Sequence, residues 1–144
     1  MSKSMHAILC LVMSVMLLLS TAVCGFTTVT AAETPVQPRY NYTSYANASI
    51  KVNTAGTATC IASAEGYKGT TTKVHIEMKL QKYTALWWSN QQTWEGTFNN
   101  FYGTLTKSKT VNNGKYRIKV TFTIYSGNNS EKIEKISNTV TFSS

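Results

Sequence analysis

Gly114-Lys115-Tyr116-Arg117-Ile118-Lys119-Val120-Thr121-Phe122-Thr123-Ile124-Tyr125 decides the fold. Tyr116, Ile118, Val120, Phe122 and Ile124 alternate with Lys115, Arg117, Lys119, Thr121 and Thr123. A period of two sends the apolar side chains to one face and the polar ones to the other, the pattern of a half-buried strand. Alternation this long and unbroken predicts a strand in the interior of its sheet.

The same period extends outward in both directions. Downstream, Ser126-Gly127-Asn128-Asn129-Ser130 predicts a hairpin loop, followed by a last strand over 131–142. In that strand Ile136, Val140 and Phe142 share a parity that Ile133 does not, which predicts a bulge near Glu134-Lys135. Upstream, Ala48, Ile50 and Val52 form a first inward row, and Ala58, Cys60, Ala62 and Ala64 a second. Val74, Ile76, Met78 and Leu80 form a third, with Lys73, His75, Glu77, Lys79 and Gln81 facing the other way. Residues 83–96 read less clearly, as one bent strand or two short ones. Phe98 to Val111 supplies a weaker strand, with Gly103 marking a kink. No proline follows residue 48, which suits ladder-forming strands. About seven strands joined by short turns predict an antiparallel sandwich or barrel over 48–144.

The N-terminus has a different character. Met1-Ser2-Lys3 is followed by an apolar run from Ala7 to Leu19 and by small residues ending at Ala31-Ala32. This order is that of a cleavable secretory signal peptide, assigned to 1–32. The apolar run is shorter than the ~20 residues that span a bilayer, so no transmembrane anchor is expected after cleavage. Residues 33–47 hold both prolines, Pro35 and Pro38, and read as a flexible linker. Cleavage removes Lys3 from the 14 basic residues, leaving 13 against 6 acidic ones, a net charge of about +7. It also removes Cys10 and Cys24, so Cys60 has no intramolecular disulfide partner.

Gly114-x-Tyr116-x-Ile118 resembles the Gly-x-Tyr-x-Cys segment of immunoglobulin-like domains. That resemblance implies an immunoglobulin-like β-sandwich in which the tyrosine hydroxyl pins a corner of backbone. Ile118 stands where the second cysteine would be, which leaves Cys60 unpaired. A wider resemblance rests on Gly56-Thr57-Ala58-Thr59-Cys60, Gly66-Tyr67-x-Gly69-Thr70-Thr71-Thr72-Lys73, Leu80-Gln81-Lys82, Trp88-Ser89 with Trp94, and Gly114 to Lys119. These segments are similar to a family of small exported proteins of Gram-positive bacteria whose function is uncharacterised. The similarity implies export and a β-rich fold and brings no catalytic residues.

Catalytic chemistry has few residues to draw on. Beyond the leader there is no aspartate, one histidine and one cysteine. His75 and Cys60 fall on opposite faces by parity, so a nucleophile pair is not expected. The glutamates show no close pairing along a strand, and neither metal-ligand spacing nor a phosphate-binding loop occurs. The chain therefore reads as a binding protein without cofactor or metal rather than an enzyme. Two surface features remain. Lys73, His75, Lys79, Lys115, Arg117 and Lys119 point away from the core and would form one basic face if their strands are neighbours. Tyr83, Trp87, Trp88 and Trp94 form an aromatic stretch in which Trp87 and Trp88 must point to opposite faces, so that only one can fill the core. Together they suggest a secreted or envelope-associated module that binds an anionic cell-wall polymer, a glycan or a protein. Nucleic acid is a poor partner for an exported chain. An antimicrobial or toxin-like protein and a structural subunit pairing through sheet edges are the competing expectations.

Overall fold

The computed structural model describes residues 40–144. The leader assigned to 1–32 and residues 33–39 of the linker lie outside the described residues. Eight strands follow in order: β1 (Thr43–Val52), β2 (Thr57–Gly66), β3 (Lys73–Thr84), β4 (Trp87–Phe98), β5 (Tyr102–Thr110), β6 (Gly114–Ser126), β7 (Asn129–Ile136) and β8 (Val140–Phe142). One sheet has the order β1-β2-β5 and the other β4-β3-β6-β7, with β8 pairing β6 beyond the end of β7. All pairings are antiparallel. The inner faces of the two sheets enclose one apolar core, an immunoglobulin-like sandwich. The fourth strand pairs with the third here, rather than with the fifth as in the constant-type arrangement.

The deciding stretch is β6, flanked on one side by β3 and on the other by β7 and β8. Its alternating apolar residues, Tyr116 to Ile124, are all buried. Opposite them β2 offers only Ala58, Cys60, Ala62 and Ala64. This small row leaves volume for Phe122, Ile76 and Met78, the kind of large-against-small filling a close-packed interior demands. The Tyr116 hydroxyl donates to the Asn112 carbonyl at 2.7 Å, so the tyrosine pins the chain where it crosses between sheets.

Cys60 is fully buried, and burial pushes its thiol up to about 11. An unfolded thiol ionises near ~8.5, so this group's stabilising effect is whole below that value and declines as pH rises from there toward the folded value. Iodoacetamide at about pH 8 is expected to leave the Cys60 peptide of the native protein unlabelled and to label it fully in urea. Native labelling as fast as in urea would place the thiol outside the core.

Several elements differ from the sequence pattern. β1 begins at Thr43, inside the stretch expected to be linker. The Glu131 carboxylate ties it down by accepting hydrogen bonds from the Asn41 and Tyr42 N–H groups, each 2.9 Å, and from the Thr43 hydroxyl, 2.6 Å. The phase change of the last strand is a break at Ser137 rather than a bulge at Glu134-Lys135. The Ser137 hydroxyl accepts the Ile118 N–H at 2.9 Å and its N–H reaches the Ile118 carbonyl, so the chain leaves the ladder and resumes as β8. Ile136 consequently points outward, 53% exposed. Gly103 marks no kink; it is the site where the Phe98 ring lies against the backbone of β5, and a Cβ would run into that ring.

Candidate functional site

The strand registers place the expected basic residues on the outer face of the larger sheet. Successive rungs across β3 and β6 pair Lys73 with Tyr125, His75 with Thr123, Glu77 with Thr121, Lys79 with Lys119 and Gln81 with Arg117. The face is not one continuous basic patch. Glu134 of β7 lies beside Thr121, and Glu95 of β4 beside Glu77, so a row of glutamates crosses its middle. Lys79 pairs with Glu77, whose hydrogen bond and charge raise the lysine pKa, and Lys119 pairs with Glu134 at 3.1 Å. On one side of this row, the Lys73 ammonium sits 3.9 Å from the Tyr125 ring centre and His75 Nδ1 is 2.9 Å from the Thr97 hydroxyl. On the other side lie Lys115 and Arg117. His75 and Cys60 belong to different sheets and opposite faces.

Arg117 is held in place. Its guanidinium lies over the Trp88 ring, 4.1 Å from the centroid, and its Nε donates to Gln81 Oε1 at 2.9 Å. Gln81 Nε2 in turn donates to Asn90 Oδ1 at 2.9 Å, and Tyr83 packs on Trp88 with ring centres 5.3 Å apart. A cation stacked on an indole and fixed through one nitrogen is a pre-organised donor, with its remaining N–H groups available for an anionic or polar ligand.

The aromatic stretch does not act as one unit. Trp94 lies opposite Met78, on the inner face, and packs against the core. Trp88 faces outward as part of the Arg117 cluster. Trp87 has the inward parity, but it stands beyond the core at the hairpin tip and is 62% exposed. Neither Trp87 nor Trp88 therefore fills the core: both lie within two residues of the turn, and neither packs against the core cluster. That turn is tight: Leu86 N–H bonds the Thr84 carbonyl at 2.6 Å and Ala85 takes φ +58°, a conformation that costs a residue with a Cβ about 1 kcal/mol or more. Leu86 at its apex is 80% exposed.

Sequence reasoning missed Gln81, Leu86 and Asn90. The bulge at Gln91 lets Asn90 share a rung with Gln81, and no residue type announces it. Lys109 of β5 crosses to that bulge, with Nζ 3.2 Å from the freed Gln91 carbonyl and 3.2 Å from Gln92 Oε1. A bulge capped by a charged side chain blunts the β4 edge against pairing. Among the described residues no three His, Cys, Asp or Glu side chains converge on a metal-sized site. No family model, curated protein or solved structure matches the chain.

Proposed function

We propose that this protein is an envelope-associated binding module, acting without catalysis, that engages an anionic partner through one end of its sandwich. The observation that carries this reading is the sorting of charge along the strands. β3 and β5 run toward the end that holds the β3–β4 turn, and β6 starts there. Lys82, Lys115 and Arg117 lie at that end of the larger sheet, and Lys51, Lys107 and Lys109 at that end of the smaller one. Every described glutamate lies at or beyond the Glu77 rung, toward the opposite end. A pole of clustered cations without glutamates among them attracts a polyanion more strongly than the same charges spread evenly. The leader pattern and the resemblance to exported proteins support an envelope setting, where wall polymers are anionic.

Retention on purified cell walls carrying glycerol-phosphate polymers tests this reading. Lys115→Gln with Arg117→Gln is expected to weaken retention about tenfold or more at low salt, taking roughly 1 kcal/mol per cation at an anionic surface. Lys73→Gln with Lys132→Gln, at the other end, is expected to change it less than about twofold. Equal loss from both pairs would show that net charge, not the pole, does the binding.

A further inference from the structure

The cationic pole carries a feature that a soluble polyanion would not require. It holds the β3–β4 turn, where Leu86 is 80% and Trp87 62% exposed. Neither belongs to the core or to the partly buried residues packed on it. Water-exposed Leu and Trp side by side at the apex of a hairpin are unfavourable unless something covers them. The turn also places Ala85 at φ +58°, a strained conformation for a residue with a Cβ.

From this we infer that the partner is an anionic lipid surface, with the Leu86-Trp87 tip entering the headgroup layer and the surrounding cations resting on the phosphates. The inference rests on the pole being the binding end. The chemistry matches at both depths. Indole and leucyl side chains favour the boundary between headgroups and acyl chains, where the ring is buried and its N–H stays wet. Lys82, Lys115 and Arg117 stand on the strand ends just behind the tip, at the height where lysine and arginine meet phosphate oxygens. Arg117 stacks on Trp88 and so presents its charge beside an outward ring, and Tyr83 completes that amphipathic collar. A pole without glutamate side chains gives the charge complementarity, and the apolar tip distinguishes a bilayer from a wall polymer.

Vesicle co-sedimentation with the full chain tests the inference, comparing phosphatidylcholine vesicles with and without phosphatidylglycerol. Every variant keeps the same N-terminal segment, so differences between variants report the tip alone. Wild type is expected to bind the anionic vesicles, to lose binding as salt rises, and to show a blue shift of tryptophan emission. Leu86→Ser with Trp87→Ser is expected to lower partitioning about tenfold or more and to abolish most of the blue shift. Both side chains are largely solvent-exposed, so the melting temperature should stay unchanged; Leu86→Ser alone serves if the double change disturbs the turn. Anionic-vesicle binding that survives the tip replacements would overturn the inference. Binding to glycerol-phosphate polymer but not to vesicles would overturn it too, while leaving the polyanion-binding reading in place. Binding to neither removes both.

Discussion

Tyr116→Ala is expected to destabilise the protein by about 3–5 kcal/mol, the usual consequence of truncating a buried aromatic ring. Tyr116→Phe is expected to cost about 1–1.5 kcal/mol, because it removes only the hydroxyl that holds the Asn112 carbonyl. Urea midpoints measure both. The two-step outcome separates the ring, which fills the core at 2% exposure, from the hydroxyl, which fixes the crossing from β5 to β6. That crossing also carries the Val111 N–H to Gly56 carbonyl bond, 2.8 Å, so loosening it should speed amide exchange at Val111. A Phe variant as stable as wild type would mean that the corner is held by packing alone.

Gly66→Ala is expected to cost about 3 kcal/mol by overpacking a closed knot of backbone. A Cβ at Gly66 would stand 2.6 Å from the Tyr42 carbonyl oxygen and just as close to the Thr71 Cβ. The Tyr42 carbonyl cannot retreat freely, since it accepts from the Tyr67 N–H at 3.2 Å and from the Thr71 hydroxyl at 2.7 Å. The Gly66 N–H is committed as well, to the Phe101 carbonyl at 2.6 Å. Adding Thr71→Ala should recover only a small part of the loss, because the carbonyl contact remains. Thermal melts of the single and double variants measure this, and full recovery would show that the threonine side chain is the whole obstacle.

The core was legible in the sequence wherever alternation was strict. Residues 58–64, 74–80 and 116–124 reveal their inward rows because each strand is covered on one face only, and burial then writes itself as a period of two. The tyrosine corner was legible too, from Gly114 and Tyr116. β4 was not, since its inner row of Gln92, Trp94, Gly96 and Phe98 mixes polar, small and aromatic residues at an open sheet edge. The hairpin at Thr84–Trp87 lacks the glycine or asparagine that positive φ normally demands, so Ala85 gave no signal. The outward parity of Lys73, His75, Lys79, Lys115, Arg117 and Lys119 can be read from the alternation of β3 and β6. The division of that face by Glu77, Glu95 and Glu134 depends on which strands are neighbours, which one chain's periodicity does not contain. The sorting of cations toward one end is likewise a property of topology: Lys51, Lys82, Lys107 and Lys115 are far apart in sequence and meet only because four strands begin or finish together.

The Glu131 clamp on Asn41 and Tyr42 has a practical corollary for handling the molecule. It fixes the entry of the chain at the start of β1, whose ten residues then run roughly 30 Å toward the Leu86-Trp87 end. Ser144, by contrast, is moored to Asn113, with its N–H 3.1 Å from the asparagine Oδ1, close beside the start of β6. A linker, affinity handle or solid support joined ahead of Tyr40 therefore holds the domain by its far end and leaves Leu86 and Trp87 facing the medium. The same handle joined after Ser144 crowds the tip and would mask the property it was added to measure.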